Sequence, residues 1–523
     1  MIIQAVKQFW NEKPLHSVII IALFVRLLAA VFAQGFSMHD DHYLVIEASQ
    51  SWADGTDFNN WLPQNQVNPK PEGHSFFYVG IHFLLFSFFK MLGIADPVFK
   101  MVLVRLLHAL FSLLVVYYGF KITEKISNTR MAAQVGLLLA VLWFMPFLSV
   151  RNLVEVVCIP FLMMGFWILL NAPEKKRPLL HYLCAGLVMG LSFSVRFQTL
   201  LYVGGAGLVL LFQKKWKEMF VFGLGSLISI FAIQGVVDII IWRRPFAELT
   251  EYILYNIKHR SEYGTNNPLM YFEVIMGMLI PPIGVMLFFG FFREWKKQLM
   301  VFLPTFIFFA FHTVFVNKQE RFGFTMIPFI LILGVIGWNN FQEQSSYWMK
   351  RPKLLRGFWI FFWIVNFIVL SALTFTYSKK ARVEAMYYLY KKPVDQILVE
   401  DTNRGDGQMM PDYYAGHWVT IYALPEERKD TILFDKLKSD GRFFKEVYNK
   451  QYFVLHPEIK PQYIMFIGNT RLDERLTNIK TIYPNLTFEK ASNPGFVDEI
   501  AYKLNPINKN ESVFIYKVNY PQK

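Results

Sequence analysis

The chain contains little charge and almost no cysteine for its length. Of its 523 residues, 18% are charged, and only two are cysteines. So little charge, together with 54% hydrophobic residues and 53 phenylalanines, excludes an ordinary soluble enzyme. Cys158 and Cys184 both lie inside apolar segments, so we expect neither a disulfide framework nor a cysteine-ligated metal.

The sequence also lacks the familiar metal-binding patterns. No HExxH motif and no His/Cys ligand spacing is present. His39, His42, His74 and His82 leave a divalent-metal site built from Asp and His open as an alternative. No internal repeat or low-complexity segment interrupts the chain, so repeat architectures are not expected.

Apolar segments dominate the chain up to residue 377. Many of them reach the ~20 residues that cross a bilayer, which predicts a polytopic α-helical membrane protein. The first segment is long and is followed by others, so it is not expected to be a cleaved signal. The segments run over 16–36, 75–93, 98–120, 131–150, 153–171, 181–213 (a hairpin), 218–241, 271–292, 298–316, 323–340 and 356–377.

The composition changes after residue 377. Residues 378–523 are mixed and polar, with short β-rich runs at 396–399 and 463–467. This pattern predicts a soluble C-terminal α/β domain over 378–523 that follows a transmembrane domain over 1–377. In the C-terminal domain we expect the pairs Tyr413-Tyr414 and Glu400-Asp401 to be exposed and to be candidates for acceptor or partner binding.

Basic residues in the short loops set the expected orientation. Loops rich in Lys and Arg near 121–130, 175–177, 214–217, 293–297 and 350–356 should be cytoplasmic. If the N-terminus is also inside, one early segment cannot cross. We choose 75–93, which would lie at the outer surface or re-enter the membrane. About 11 crossings remain, and the C-terminal domain becomes extracytoplasmic, that is, periplasmic or lumenal. The net charge of +14 then fits cytoplasmic loops and lipid head groups and requires no nucleic acid.

Two adjacent carboxylates, Asp40 and Asp41, follow the first apolar segment. They lie in the first outer loop, which covers residues 37–97. Carboxylates at a membrane surface are costly unless they are used, so the pair suggests a general base that faces a membrane-embedded substrate. Partial burial and a like-charged neighbour would raise the pKa of one of them. Glu47 could orient this loop. The alternative is a solvated acidic loop without a catalytic role.

Cations mark the outer ends of later segments. Lys318 and Arg321 are three residues apart and would clamp a phosphate, or else they extend to lipid head groups as helix-end cations do. Arg196 interrupts an apolar hairpin, where a cation is normally paired or functional. Arg151 and Glu155 are four residues apart on one helix face, a spacing that predicts a mutual ion pair.

The outer loop over residues 255–268 is dense in polar and aromatic side chains. Hydrogen-bonding groups beside aromatic rings suit a bound sugar. The same mixture equally suits an ordinary amphipathic surface loop, so the loop alone does not decide between the two.

The motifs at 39–43 and 317–322 together resemble the GT-C class of glycosyltransferases. They are most similar to family 22, which contains the mannosyltransferases of lipid-linked oligosaccharide and glycosylphosphatidylinositol synthesis. The first outer loop of that family carries a His-Pro-Asp-Glu-like motif, to which His39-Asp40-Asp41-His42-Tyr43 is similar. Its late outer loop reads His-Lys-Glu-x-Arg-Phe before a Pro-bearing helix, and Asn317-Lys318-Gln319-Glu320-Arg321-Phe322 with Pro328 is similar.

A third motif lies between these two. Asn256, Tyr263-Gly264-Thr265 and Tyr271-Phe272 are similar to an Asn…Tyr-Gly-Thr…Tyr-Phe segment of the family. The resemblance spans residues 1 to about 340. The chain departs from the family pattern in three places: Asp replaces Glu in the acidic pair, and Asn317 and Gln319 replace His and Glu in the late loop.

The resemblance implies an inverting transfer of a sugar, mannose, to a glycan or glycolipid acceptor on the outer face. The donor would be a polyprenyl- or dolichyl-phosphate sugar, with its lipid in the bilayer. By this analogy Asp40 is the general base and Asp41 supports it, while Arg321, Lys318 and Arg196 stabilise the departing phosphate.

The resemblance also implies which residues bind substrate and whether the reaction requires a cofactor. A phosphodiester leaving group has a single negative charge, so no cofactor is required and a metal is not obligatory. Membrane lipids are the other expected partners. The residues that would bind substrate are His42, Asn256, His259, Tyr263 and Glu320.

Other functions remain open on the sequence. A protein O-mannosyltransferase or a lipid A aminosugar transferase of the GT-C class would have a similar membrane core. A lipid-glycan flippase or transporter would show inverted repeats and charges deep in the bundle, whereas most charges here fall at one face. An inactive homologue that serves as a scaffold is a third alternative, against which the presence of Asp40 and Arg321 argues.

Overall fold

The structure is a computed structural model, and it describes residues 2–259, 267–427, 437–440, 442–505 and 510–521. The chain divides into two compact units. The first unit comprises Met1–Phe32, Pro71–Tyr78 and Val104–Phe375, and the second comprises Ala33–Lys70, Val79–Leu103 and Thr376–Lys523. Two pieces of the first outer loop therefore belong to the same unit as the C-terminal segment.

The structure describes 24 α-helices, of which the first 20 make up most of the described residues before 375 and the last four follow. They are, in chain order, α1 (Ile2–Glu12), α2 (Pro14–Phe32), α3 (Ala48–Asp54), α4 (Phe76–Met91), α5 (Pro97–Ile126), α6 (Thr129–Val141), α7 (Met145–Ser149), α8 (Val154–Val157), α9 (Ile159–Asn171), α10 (Pro178–Val195), α11 (Leu200–Phe212), α12 (Trp216–Ile230), α13 (Val236–Trp242), α14 (Ala247–Lys258), α15 (Met270–Met278), α16 (Ile283–Arg293), α17 (Leu299–Val314), α18 (Ile327–Gln344), α19 (Ser346–Met349), α20 (Pro352–Thr374), α21 (Lys380–Tyr387), α22 (Gln451–Leu455), α23 (Leu472–Lys480) and α24 (Phe496–Leu504).

Shorter 3-10 and π-helical turns connect or extend these helices. The π-helical turns are Asp41–Glu47 and Phe231–Gly235, and the 3-10 turns are Pro63–Asn65, Ala172–Glu174, Phe197–Thr199, Glu320–Met326 and Asp412–Ala415.

Seven of the described helical stretches are long and apolar enough to cross a membrane. An eighth span arises if α15 and α16, which meet at an angle of 118°, are counted as one, and four apolar helices are shorter: Phe76–Met91, Thr129–Val141, Phe197–Phe212 and Leu299–Val314. The helical membrane protein predicted from the sequence is confirmed, while the count of 11 crossings stays a prediction. The seven long stretches are Pro14–Phe32, Pro97–Ile126, Val154–Glu174, Pro178–Val195, Trp216–Trp242, Glu320–Gln344 and Pro352–Thr374.

Helices α10 and α12 of the first unit pack closely against each other near the end of α10. A Cβ atom on Gly186 would lie 2.1 Å from the carbonyl oxygen of Phe222 in α12, and one on Gly190 would lie 2.6 Å from Cβ of Ser229. Small residues of this kind let two helix backbones approach closely in a membrane. The helix continues to Val195, and Arg196 follows in extended conformation. Arg196 is thus held at the end of a tightly packed helix pair.

The described part of the second unit contains a mixed seven-stranded sheet. Its strand order is β5-β6-β4-β3-β7-β9-β8, with β6, β4, β3 and β7 mutually parallel and the β5–β6, β7–β9 and β9–β8 pairs antiparallel. The predicted C-terminal α/β character and the strands at 396–399 and 463–467 are confirmed. The strands are β1 (Gln34–Gly35), β2 (Tyr377–Ser378), β3 (Gln396–Asp401), β4 (Thr420–Pro425), β5 (Leu437–Asp440), β6 (Phe444–Val447), β7 (Tyr463–Ile467), β8 (Leu486–Ser492) and β9 (Val513–Val518).

Two pairs of residues expected to be exposed are buried instead. Glu400 and Asp401 end the central strand β3, and Tyr413 and Tyr414 lie in a 3-10 turn; all four are at most 3% exposed. The prediction that they form an exposed binding surface was wrong, because the strand end and the turn pack inside the unit.

A short parallel pairing fixes the start of the acidic loop. β1 pairs with β2 through Gln34–Tyr377 and Gly35–Ser378. Gly35 has φ +71°, and a Cβ atom there would lie 1.8 Å from the carbonyl oxygen of Ser378. Only glycine fits this close approach in the left-handed region. The residues just before Asp40 are therefore anchored to the beginning of the C-terminal segment.

Candidate functional site

The acidic segment, residues 38–47, lies in the second unit. Asp41 is 4% exposed, and its Oδ2 accepts hydrogen bonds from the hydroxyl group (3.1 Å) and the backbone nitrogen (3.4 Å) of Ser37. Asp40 precedes the π-helical turn and is half-buried. The two neighbouring carboxylates are therefore different: Asp41 is fixed by local hydrogen bonds, whereas Asp40 is the more accessible.

A buried neutral pair fixes the other end of this segment. His42 lies between the rings of Phe36 and Tyr414, with centroid distances of 4.4 and 5.5 Å. Its Nε2 is 3.2 Å from Oε1 of Glu47, an oxygen that also accepts a hydrogen bond from the backbone nitrogen of Tyr413. Burial raises the pKa of Glu47 to about 8 and lowers the pKa of His42 to about 3. Both groups are therefore mainly uncharged at pH 7.

The position of His42 bears on its predicted role. The ring is 1% exposed and is held on both faces, so in this structure it orients the acidic segment. The predicted contact between His42 and a substrate stays a prediction.

Two cations from the C-terminal segment lie beside the acidic segment. Lys379 and Arg382 approach the ring of Phe36 at 5.9 and 5.6 Å. Burial lowers the pKa of Lys379 to about 8, and Arg382 acts in the same direction, whereas Asp498 and Asp41 oppose it. Sequence reasoning missed both cations. Arg382 lies 339 positions after Tyr43 of the acidic segment, and no local pattern relates the two.

The first unit contains a cluster of Glu155, Arg196 and Arg321, which we call the two-arginine cluster. Nη1 of Arg196 is 2.5 Å from Oε1 of Glu155, and Nε of Arg321 is 3.4 Å from the same oxygen. The Glu155 side chain is 1% exposed, and those of Arg196 and Arg321 are 9% and 16% exposed. Two guanidinium groups thus share one carboxylate at a largely buried position.

Arg196 still has hydrogen-bonding capacity at this position. Its guanidinium carbon lies 4.8 Å from the ring centre of Phe322. Within the described ranges, its buried Nε and Nη2 atoms have no hydrogen-bond partner. A guanidinium group presents its donors in a planar fork that matches phosphate oxygens, so these two atoms are suited to an anion.

The loop at 317–322 is fixed next to Arg321. Nζ of Lys318, which is 6% exposed, donates to the carbonyl oxygen of Phe315 at 2.9 Å. Oε1 of Gln319 accepts a hydrogen bond from Nε of Arg321 at 2.6 Å, and the hydroxyl group of Tyr271 donates to the carbonyl oxygen of Gln319 at 3.2 Å. The loop that the sequence predicted as a phosphate clamp is therefore ordered by contacts with residues before and within it.

The other residues predicted to bind substrate differ in their burial and in their hydrogen bonds. Asn256 is half-buried, and its amide nitrogen donates to the carbonyl oxygen of Tyr252 in the same helix. His259 is half-buried at the end of α14, and Glu320 is exposed. Tyr263 lies outside the described residues. Substrate contacts for these four residues stay predictions.

The sequence did not reveal the partners of Glu155. The i,i+4 spacing suggested Arg151, whose guanidinium carbon lies 4.5 Å from the ring of Phe147. The structure places the Glu155 carboxylate beside Arg196 and Arg321, which are 41 and 166 residues away along the chain. One signal was available: Glu155 and Arg196 are charges of opposite sign in apolar segments, where charges usually pair.

The described residues contain no obvious metal centre. No group of three or more His, Cys, Asp and Glu side chains among them could hold a metal ion. His82 is 1% exposed on α4 and belongs to the interior of its helix packing.

The fold is shared with solved membrane glycosyltransferases of the GT-C class. ArnT from Cupriavidus metallidurans bound to undecaprenyl phosphate matches with a TM-score of 0.63 and 13% identity over 97% of this chain and 98% of that chain. The apo state of the same enzyme matches with a TM-score of 0.59 at equal identity and coverage. The apo oligosaccharyltransferase of Archaeoglobus fulgidus matches with a TM-score of 0.51 and 10% identity over 88% of this chain and 70% of that chain.

These solved structures thus show that the chain has a GT-C fold. The model of the Alg9-like mannosyltransferase family matches residues 17–403, which include both the acidic segment and the two-arginine cluster. The chain belongs to the Alg9-like mannosyltransferase family. No curated protein matches it by pairwise sequence similarity.

Proposed function

We propose that the protein moves mannose from a polyprenyl-phosphate donor to a glycan or glycolipid acceptor on the outer face of the membrane. The observation that carries this proposal is the two-arginine cluster. Arg196 has two donor atoms available beside the guanidinium group of Arg321 in a largely buried site, which suits the negatively charged phosphodiester of a donor. Preorganised donors at a site of developing charge are usually the largest source of catalysis in such reactions.

In the proposed reaction the acceptor hydroxyl group attacks the anomeric carbon of the donor sugar. Asp40 takes the hydroxyl proton as the general base. The bond between the anomeric carbon and the phosphate oxygen breaks, and its electron pair leaves with the polyprenyl phosphate. Arg196 and Arg321, with Lys318, stabilise that phosphate. The hydroxyl group attacks from the face opposite the departing phosphate, so the single displacement inverts the anomeric configuration, and the reaction needs no cofactor.

The acidic segment supports the role assigned to Asp40. Ser37 engages the neighbouring Asp41, and the buried His42–Glu47 pair fixes the turn that follows. A base on a rigid turn can be held at one position while it remains accessible, which favours proton transfer. Asp41 would then orient the segment or bind acceptor hydroxyl groups.

The similarity of the chain to known glycosyltransferases supports a polyprenyl-phosphate sugar as the class of donor. The family consists of mannosyltransferases, and the ArnT structure with the same fold is bound to undecaprenyl phosphate. A polyprenyl or dolichyl phosphate places the departing charge at the membrane surface. Substrate contacts from His42, Asn256, His259, Tyr263 and Glu320 form part of the same proposal.

The proposed orientation places both groups of residues outside the cytoplasm. Seven long apolar stretches, the bent α15–α16 pair and three of the four shorter apolar helices would give 11 crossings. The fourth short helix, α4, would lie at the outer surface. The C-terminal segment then faces the periplasm or lumen.

Transfer of a labelled sugar tests the proposal. Purified protein in lipid vesicles is incubated with polyprenyl-phosphate [³H]mannose and with the glycolipid and glycan extract of cells lacking the protein. We expect label to move from the donor into the extract, and this transfer to be lost in Asp40→Asn. If label stays on the donor with every extract, or if Asp40→Asn transfers it at the wild-type rate, the proposal is wrong.

A further inference from the structure

A cavity of about 220 Å³ lies within the second unit. It is several times larger than the ~30 Å³ that a water molecule occupies and smaller than the ~300–1,000 Å³ typical of drug-sized ligands. A small polar group such as one sugar residue or one phosphate therefore fits its size. The residues that matter most for its charge are Asp54, Lys90, Lys100, Asp412 and Trp418.

Lys100 is a buried cation at this cavity. It is 8% exposed, and its ammonium group donates to the neutral side-chain oxygen of Gln50 at 3.1 Å. Within the ranges that the structure describes, Lys100 forms no salt bridge. A buried charge without a counter-charge is costly, so an anion next to this ammonium group would be favourable.

Asp54, a carboxylate that lines the cavity, already has hydrogen-bond donors and a cation beside it. Both carboxylate oxygens of Asp54 accept hydrogen bonds from the amide nitrogen of Gln50 at 3.1 Å, and one also accepts a bond from the indole nitrogen of Trp418 at 3.1 Å. Nζ of Lys90 lies 3.8 Å from the other oxygen. Asp54 therefore forms a salt bridge with Lys90, and its charge acts on Lys100 without a salt bridge between them.

Two further carboxyl groups near the cavity form no salt bridge with Lys100 in the part of the chain that the structure describes. Asp412 accepts hydrogen bonds from the backbone nitrogen of Val419, and burial raises its pKa well above the usual range. Asp96 caps the start of α5 by accepting from the backbone nitrogen of Phe99, and it accepts a second hydrogen bond from the hydroxyl group of Tyr387. The hydrogen bonds of both carboxyl groups thus go to groups other than Lys100.

We propose that this cavity is a binding site for a phosphate ester, carried either by a glycan or by a lipid head group. The ester would accept a charge-assisted hydrogen bond from Lys100, and Lys90 at the cavity rim would guide its approach. Lysine binds phosphate as a compact point charge, which suits a site with one buried ammonium group. The site is separate from the residues proposed for catalysis and does not depend on the sugar-transfer proposal.

Binding to the full-length protein in detergent tests the proposal without any enzymatic turnover. The probes are mannose 6-phosphate and mannose, measured by calorimetry at fixed ionic strength. In parallel, native mass spectrometry compares retention of phosphatidylglycerol with that of phosphatidylcholine. We expect either mannose 6-phosphate or phosphatidylglycerol to bind at least about tenfold more tightly than its uncharged or zwitterionic counterpart. The arm that shows the difference identifies a glycan or a lipid as the carrier.

Lysine variants locate the binding. Lys100→Gln should abolish the charge preference, and Lys70→Gln, a change at an exposed lysine of the same unit that does not line the cavity, should leave it unchanged. If Lys100→Gln binds the phosphate probes as tightly as the wild type does, or if neither probe shows a charge preference in the wild type, the proposal is overturned.

A second set of variants avoids any change to a buried residue. Ala95 is exposed and lines the cavity, so it accepts new side chains without disturbing the core. Ala95→Glu should weaken phosphate binding several-fold, and Ala95→Lys should strengthen it, each relative to Ala95→Gln. Equal binding by the three variants would overturn the proposal even if Lys100→Gln does not fold.

Discussion

Replacing Arg196 by lysine keeps the positive charge of the two-arginine cluster but removes the planar fork. In the structure, Nη1 of Arg196 contacts Glu155, while its Nε and Nη2 atoms remain for an anion. A single ammonium group at the end of a lysine side chain cannot hold Glu155 in the same way and also donate to a phosphate. Arg196→Lys should therefore lose at least one charge-assisted hydrogen bond to the donor phosphate.

The magnitude follows from the value of such a bond. A hydrogen bond to a charged group contributes about 1.5–3 kcal/mol, which corresponds to a loss of about 10- to 150-fold in kcat/KM. The assay is transfer of mannose from polyprenyl-phosphate mannose by protein in vesicles. Arg130→Lys is the matched control, because Arg130 is an exposed arginine at the start of α6. If Arg196→Lys and Arg130→Lys have the same kcat/KM, the phosphate-binding role of the cluster is refuted.

Three further predictions concern the cluster, the buried acid and the orientation. Glu155→Gln removes the carboxylate that both guanidinium groups share, so it should lower the free energy of unfolding by about 3 kcal/mol. Added polyprenyl phosphate should raise the melting temperature of this variant more than that of the wild type, and equal shifts would contradict the anion site. The pKa of Glu47 is raised from its ordinary value to about 8, so its contribution to stability is complete below about pH 4.5 and declines as the pH rises through 8, by up to about 1.4 kcal/mol per pH unit. Glu47→Gln should remove this decline, so melting curves of both proteins at pH 6 and pH 9 should diverge at the higher pH, whereas parallel curves would show that Glu47 is ionised when folded. Lys480→Cys, at an exposed position of α23 in a background without Cys158 and Cys184, should react with a membrane-impermeant thiol reagent in intact cells, and protection until the membrane is opened would overturn the orientation.

Local sequence patterns were sufficient for features that depend on nearby residues. The apolar segments gave the helical membrane architecture, since a run of about 20 apolar residues has few other stable solutions. The adjacent Asp40 and Asp41 and the lone Arg196 stood out because charge at those positions is costly without a partner or a use. The strands at 396–401 and 463–467 were visible from their apolar runs.

Contacts between distant parts of the chain were not visible in the sequence. Helix-face spacing paired Glu155 with Arg151, but packing brings Arg196 and Arg321 to its carboxylate. Tyr413 looked exposed because it lies in a polar region, yet its backbone nitrogen binds Glu47, a residue 366 positions earlier. In each case the partner comes from a different helix, strand or turn, and a single sequence does not show which of these elements contact each other.

The second unit shows the same limit. The sequence suggested a boundary at residue 377, and no local change of composition marks 33–70 and 79–103 as partners of the C-terminal segment. The short β1–β2 pairing, in which Gly35 approaches Ser378, contributes to that association, and it involves two-residue strands that no periodicity can reveal.

The most direct test of the central claim is mass spectrometry of glycolipids and glycans from cells that lack this protein, complemented with wild type or with Asp40→Asn. We expect Asp40→Asn, expressed at the normal level, to leave the same truncated glycan as the deletion, and the missing mass to be one hexose. Restoration of the full glycan by Asp40→Asn would contradict the assignment of Asp40 as the base of a mannosyl transfer.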